Sequence, residues 1–302
     1  MQTEIIKTIL DTNAVSIWDS GKGPVFWYAA NVPGPFYVNT EKIIGEKLSE
    51  KMLSEITVIV SSSDSYIEKS KKLKKSILEA FLKDAGWQSI IRHLTDLSKT
   101  NFQEYHIVSG GERRDWLFSV PFAYLLKIPH LYLFKKGDFV FEDNDIFTST
   151  YTLKDVTNPK SVHVSDLINN AHSFFDVWMP ALKNAGCDCI GNLCVTVRGD
   201  NGRLRLEAAG QKVVSLVTVD ARFFNQLCSM QLISKKTLDE ILLFFDSSDK
   251  WVRKYALENP ALFLSLPEDA KALERMKVFF ETDPLKLASS YPDVFAQVRK
   301  SF

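Results

Sequence analysis

Val164-Ser165-Asp166-Leu167-Ile168-Asn169-Asn170-Ala171-His172-Ser173 takes the chain from an apolar, β-rich run (residues 161–164) into an amphipathic helix through a short polar turn. The helical spacing over residues 172–185 puts Phe174, Phe175, Trp178, Ala181, Leu182 and Ala185 on one face, and Gly186 is suited to closing the helix. Pro180 lies inside that pattern and predicts a kink or a loosened turn. A helix that starts directly after a strand presents unbonded N–H groups and the positive end of its dipole, which suits a phosphate. Asn169, Asn170 and Ser173 add side-chain donors, and Asp166 is placed to hold a sugar hydroxyl or a Mg2+-bound water. A plain Asn/Ser helix cap is the alternative for the same residues.

The alternation extends in both directions from this turn. β-rich runs are predicted at residues 56–60, 105–108, 130–134, 161–164, 189–197 and 212–216. Helical patterns fall at about 64–83, 114–126, 172–185 and 220–231. Strand and helix in alternation predict an α/β fold, a mainly parallel sheet flanked by helices. Three regions are expected: an N-terminal helix and aromatic segment (1–55), the α/β core (56–232), and a helical C-terminal extension (233–302) broken at Pro260, Pro267, Pro284 and Pro292. Ligands in such folds bind at the carboxyl ends of the strands. A second loop there reads Ser109-Gly110-Gly111-Glu112-Arg113-Arg114-Asp115-Trp116. Adjacent glycines allow backbone amides to curl around an anion, and two arginines supply forked donors.

These motifs together resemble the type I phosphoribosyltransferases, and most closely the orotate phosphoribosyltransferases. That family's signature is an apolar strand, two acids, two apolar residues, then Thr-Thr-Gly-x-Ser/Thr. Here Ser165-Asp166 stands for the acids and Asn169-Asn170-Ala171-His172-Ser173 for the loop. The second acid and the last hydroxyl are kept, while the first acid is serine, the threonines are asparagines and the glycine is alanine. The resemblance continues through a helix, Ala-Gly, an apolar strand and Arg198-Gly199-Asp200 to a strand ending in Ser-Leu.

The resemblance implies a nitrogenous base and 5-phosphoribosyl 1-pyrophosphate (PRPP) as partners, with transfer of ribose 5-phosphate to that base, orotate by default. It implies Mg2+ as cofactor. Asn169, Asn170, Ala171, His172 and Ser173 would take the 5′-phosphate. Ser109, Gly110, Gly111, Arg113 and Arg114 would take pyrophosphate. Asp166, Lys135 and Lys136 would be the catalytic groups, with Asp166 reaching metal through ribose or water. Phe36, Tyr37 and Arg198 would face the base, because Pro35-Phe36-Tyr37-Val38-Asn39 fits the family's base-covering segment.

Two departures matter. Ala29-Ala30 replaces a Lys-Ser pair, and residues 138–150 are acidic and lack the family's Lys-x-His-Gly loop. A loop that brings cations to a leaving pyrophosphate cannot work in the usual way when it is acidic. The rival function is therefore a non-catalytic PRPP or nucleotide sensor on the same fold. The family also implies a homodimer.

Composition excludes other classes. Lys+Arg and Asp+Glu are 37 each, so no basic excess points to nucleic acid. The lysine-rich stretch 69–75 reads as the solvated face of a helix. No apolar run has the roughly 20 residues needed to cross a bilayer, so no membrane partner is expected. The N-terminus does not look like a secretory signal. Cys187, Cys189, Cys194 and Cys228 have no spacing for a zinc site and read as buried thiols of a reducing, cytoplasmic compartment.

Overall fold

The structure is a computed structural model, and it describes residues 2–18, 25–142, 159–258, 266–267 and 269–300. The chain divides into two compact units: residues 1–14 with 39–219, and residues 15–38 with 220–302.

The first unit holds α1 (Gln2–Asp11), a 3-10 turn (Thr40–Ile44), α2 (Glu46–Ser61), α3 (Tyr66–Phe81), α4 (Ala85–Asn101), α5 (Trp116–Leu126), α6 (Met179–Asn184) and α7 (Asn201–Ala208). The second unit contains β1 (Val15–Ile17), β2 (Phe26–Trp27), β3 (Pro33–Gly34) and β4 (Phe36–Val38). The first unit's strands are β5 (Ile107–Gly111), β6 (His130–Leu133), β7 (Phe139–Glu142), β8 (Lys160–Ile168), β9 (Asp188–Arg198) and β10 (Lys212–Val219). They form one sheet in the order β10-β9-β8-β5-β6-β7. All neighbours are parallel except β7, which pairs antiparallel with β6 at the edge. The predicted mainly parallel α/β sheet is what the chain builds.

Both faces of the sheet are covered. Adjacent strand residues point to opposite faces, and β5 shows what each face meets. A Cβ on Gly110 would lie 2.1 Å from the Ser119 hydroxyl of α5, and one on Gly111 would lie 2.3 Å from the Trp178 indole. These glycines therefore serve close packing. Under Trp178, Ile107, Leu131, Phe174, Leu182, Cys194 and Leu206 form one buried cluster. Trp178 belongs to a π-helical turn, Phe174–Trp178, that runs directly into α6. Pro180 sits in the first turn of α6 and has no N–H for the carbonyl four residues back, so the predicted loosening appears as this wide turn.

Several elements differ from the sequence reading. Residues 56–60 are not a strand but the end of α2. The buried residues Ser49, Met52 and Ile56 are spaced three and four apart, as on one helix face, while Val58 is 69% exposed. Helix α4 was not foreseen; the Asp84 carboxylate caps it by accepting from the Trp87 N–H at 2.7 Å, and Trp87, Ile90, Ile91 and Leu94 are buried. Helix α7 and edge strand β7 were likewise unforeseen. Part of the acidic segment 138–150 forms β7; residues 143–150 lie outside the described residues, as does Pro260.

In the second unit, β1 pairs with β4 and β2 with β3, both antiparallel, beside α8 (Ala221–Ser229), α9 (Lys235–Asp246), α10 (Ser248–Glu258), α11 (Ala270–Thr282) and α12 (Pro292–Arg299). The boundaries expected near 55 and 232 thus fall elsewhere. The reason is aromatic packing: Trp18 and Trp27 share a core with Trp251, Tyr255, Phe279 and Phe280 of the C-terminal helices. No helix among the described residues is long and apolar enough to cross a membrane.

Gly111→Ala should destabilise the first unit by about 1–3 kcal/mol, because the Trp178 ring must leave its place. Chemical denaturation measures this, and an unchanged midpoint would contradict the packing described.

Candidate functional site

A cleft of about 420 Å³ opens at the carboxyl ends of β5, β6 and β8. Its walls are the turn 112–115, Lys135, and the segment from Ser165 to Phe174. Trp178, Asn192 and Leu206 line it as well.

The wall from Asn169 to Ser173 is the open one. Strand β8 stays in register with β9 through Ile168, and a helical stretch begins at His172. The backbone N–H groups of Asn170, Ala171, His172 and Ser173 have no acceptor among the described residues. The side chains of Asn169, Asn170, His172 and Ser173 are exposed. Ala171 has φ of 56°, the left-handed conformation that glycine adopts without strain. An alanine there costs roughly 1–2 kcal/mol, so the turn keeps a glycine-type backbone without the glycine. Helix α7 braces the turn from outside. The Arg205 guanidinium donates to the Asn170 carbonyl and lies 5.0 Å from the centre of the Phe175 ring. Gly202 fits closely against the Asn169 carbonyl, which a Cβ would approach to 2.2 Å. The result is a braced row of unpartnered amides lining the cleft at the positive end of a helix, an arrangement suited to an oxyanion.

The opposite wall is built differently from expectation. Ser109, Gly110 and Gly111 belong to β5, are fully buried and do not line the cleft. The Ser109 hydroxyl lies 3.0 Å from His163 Nδ1, and the two glycines abut Ser119 and Trp178. The turn is Glu112 to Asp115, and the two amides that lead into it are engaged. Gly111 N–H donates to Asp115 Oδ2 at 3.0 Å, and Glu112 N–H donates to the Leu133 carbonyl at 2.9 Å. The two glycines therefore lie outside the cleft wall, and an internal carboxylate takes the Gly111 N–H; the part of this loop that lines the cleft is Glu112 to Asp115.

That carboxylate is a residue the sequence reading passed over. Asp115 is 8% exposed, and its Oδ1 accepts from the backbone N–H of Asp166 at 2.9 Å. It therefore ties β5's turn to β8's, while His163 Nε2 stands 3.6 Å from its Oδ2. Its signal in the sequence is slight, a carboxylate at the mouth of a helix that reads as an ordinary cap.

Arg113 and Arg114 both line the cleft. The Arg113 guanidinium donates to the Thr57 hydroxyl, and Arg114 Nε lies 3.1 Å from Glu41 Oε1. Lys135 is exposed on the cleft rim, where its N–H donates to the Glu112 carboxylate at 3.1 Å. Lys136 is exposed in the β6–β7 hairpin turn but is not part of the cleft lining. Arg198 ends β9 and is also not part of the lining. Phe36 is 1% exposed, with its ring against Phe224 at 4.9 Å, Phe245 at 5.5 Å and Phe244 at 6.0 Å, so core packing takes up the faces a base would need. Tyr37 is half-buried in the second unit beside Phe26 and Tyr28.

Asp166 lines the cleft and is half-buried. Burial, followed by the adjoining Asp115 carboxylate, pushes its carboxyl well above the usual range, and Arg114 opposes this. Among the described residues no group of three or more His, Cys, Asp or Glu could hold a metal ion. Asn192, on the cleft floor, is fully buried with neither amide atom hydrogen-bonded.

The Asp166 shift has a consequence for stability. Above about pH 4, the ordinary carboxylate value, the folded chain keeps a proton that the unfolded chain has lost, so stability falls as pH rises towards the raised value. Asp166→Asn mimics the protonated side chain. Its melting temperature should match wild type near pH 4 and exceed it increasingly as pH rises to neutrality. Calorimetry across that range checks this, and a variant less stable at neutral pH would contradict it.

No family model matches the sequence, and no curated protein matches it. Solved structures do. UMP synthase from Leishmania donovani aligns at a TM-score of 0.52 with 11% identity, covering 80% of this chain. The chain spans 42% of that protein's length. Orotate phosphoribosyltransferases from Francisella tularensis (TM-score 0.49, 12% identity, 84% of this chain and 98% of that one) and Aeropyrum pernix (0.47, 14%, 74% and 97%) also align. With its mostly parallel six-stranded sheet and a UMP synthase alignment over four-fifths of its length, this chain has the type I phosphoribosyltransferase fold.

Proposed function

We propose that the cleft binds PRPP and that the chain transfers its ribose 5-phosphate to a nitrogenous base, releasing pyrophosphate. The observation that carries this is the row of unpartnered amides from Asn170 to Ser173 at a helix start, in residues that line an open cleft beside Asp166. The 5′-phosphate sits on those amides, helped by the side chains of Asn169, Asn170, His172 and Ser173. Asp166 faces the ribose hydroxyls. Arg113, Arg114 and Lys135 supply positive charge for the pyrophosphate end, where charge develops as the bond to C1 of the ribose breaks. In such a reaction the protein's task is to position the sugar, exclude water and neutralise the leaving group.

Magnesium fits this site only as a companion of the ligand. Asp166 and Glu112 are the carboxylates of the cleft wall that would meet it, since both oxygens of Asp115 accept backbone N–H groups. When bound, the ion would offset charge on the pyrophosphate. Ionised Asp166 suits that role better than the protonated form, so ligand uptake is linked to proton release from this group. Orotate is the base that the resemblance favours, and a homodimer in the cytoplasm is the corresponding assembly and location.

One observation favours a second function, non-catalytic sensing of PRPP or a nucleotide. The glycines expected to grip pyrophosphate are buried in β5 against Ser119 and Trp178, and the N–H groups of Gly111 and Glu112 are already taken. A chain that holds the phosphoribosyl end well and the leaving group poorly would bind without turnover.

Titration calorimetry with Mg2+·PRPP, paired with an assay of pyrophosphate release, separates these outcomes. Wild type should bind PRPP, and Asp166→Ala should weaken binding about tenfold, the scale of one hydrogen bond to a charged group. Release of pyrophosphate with one of orotate, uracil, adenine or nicotinic acid establishes the transferase. Binding without release from any base establishes the sensor. Absence of binding to PRPP and to every nucleoside 5′-phosphate rejects both.

A further inference from the structure

The geometry points to Glu41 as a positioning residue: it orients Arg114 so that the two terminal amino groups of the guanidinium face the cleft and receive the pyrophosphate or phosphate end of the ligand. This rests on the phosphoribosyl-ligand function proposed above and adds to it a residue from outside every motif in the sequence.

Three facts make the case. First, the contact is made through Nε: Arg114 Nε lies 3.1 Å from Glu41 Oε1. The terminal nitrogens of Arg114 have no hydrogen-bond partner among the described residues, and Nε is the nitrogen nearest the carboxylate. A guanidinium held by its inner nitrogen keeps its outer fork for a second anion, the arrangement that suits bidentate phosphate recognition. Second, the two ends of the pair differ in exposure. The Glu41 side chain is 9% exposed and the Arg114 side chain 53%. The carboxylate is the fixed end and the guanidinium the available one. Third, Arg114 lines the cleft and Glu41 does not. Glu41 lies in the 3-10 turn Thr40–Ile44, where Thr40, Ile43 and Ile44 are buried with it, so its own position is set by core packing.

An opposing function for the same pair is autoinhibition, in which Glu41 competes with the ligand for Arg114. The burial argues against it. An anion that drew Arg114 away would leave a buried carboxylate without its partner, a costly state, whereas an anion bound by the outer fork leaves the pair intact. Arg113 is held differently, by a terminal nitrogen that donates to the Thr57 hydroxyl, so part of its outer fork is already used.

The test uses the full chain and measures the affinities of Mg2+·pyrophosphate and of ribose 5-phosphate separately. Glu41→Ala and Glu41→Gln both remove the anion beside Nε, the second at nearly unchanged size. The expected result is about tenfold weaker pyrophosphate binding in both variants and unchanged ribose 5-phosphate binding in both. Melting temperatures confirm that both variants are folded. Equal pyrophosphate affinity in Glu41→Ala and wild type overturns the inference, and so does parallel loss of both ligands, which marks a merely structural residue. Tighter pyrophosphate binding in Glu41→Ala overturns it in favour of autoinhibition. If wild type binds ribose 5-phosphate but not pyrophosphate, the inference fails while the phosphoribosyl-binding function stands. If it binds neither, that function fails as well.

Discussion

The site depends on where the two oxygens of Asp115 are spent. One accepts the N–H of Gly111 and the other the N–H of Asp166, so a single buried carboxylate joins the ends of two adjacent parallel strands. In a parallel sheet these ends carry unpaired amides, and an internal carboxylate satisfies them as a bound anion would. The link fixes the height of the Asp166 backbone relative to the turn of β5. It also puts a second carboxyl beside that of Asp166, which shifts its proton equilibrium upward. One contact thus sets the position of the central acid and adds to the effect of burial on its proton.

This contact also makes the cleft asymmetric. On the β8 side the amides from Asn170 to Ser173 stay open, braced by Arg205 and by the close fit of Gly202. On the β5 side the N–H groups of Gly111 and Glu112 are engaged, and Arg113, Arg114 and Lys135 bring positive charge. A backbone cradle is rigid and selective for shape, whereas side-chain cations are adjustable and respond to charge. One end of the cleft is therefore suited to a phosphate monoester of fixed geometry and the other to a more loosely held anion.

The strand, turn and helix from residue 161 to 185 were legible because each step changes residue type: apolar and β-branched, then polar, then apolar at helical spacing. Even the effect of Pro180 could be read, because a missing N–H acts locally. Gly110 and Gly111 misled for a physical reason. Glycine reports that a Cβ is not tolerated, and a turn around an anion and close packing against Trp178 leave the same mark in the sequence. Asp115 was illegible because what matters is its acceptance of an N–H from a residue 51 positions away, which no local pattern encodes. Residues 56–60 were misread because β-branched side chains suit a strand by propensity, while burial of Ser49, Met52 and Ile56 sets a helical period. Phe36 and Tyr37 matched a motif, but the aromatic packing between residues 15–38 and the C-terminal helices depends on long-range contacts.

The central claim is that the ligand's phosphate rests on the backbone of residues 170–173 and not on the paired glycines of β5. Site-resolved amide NMR during titration with ribose 5-phosphate tests it most directly. The account predicts saturable shifts of the Asn170, Ala171, His172 and Ser173 amides, with Gly110 and Gly111 left in place. Shifts centred on Gly110 and Gly111, or none at residues 170–173 at saturating ligand, would contradict it.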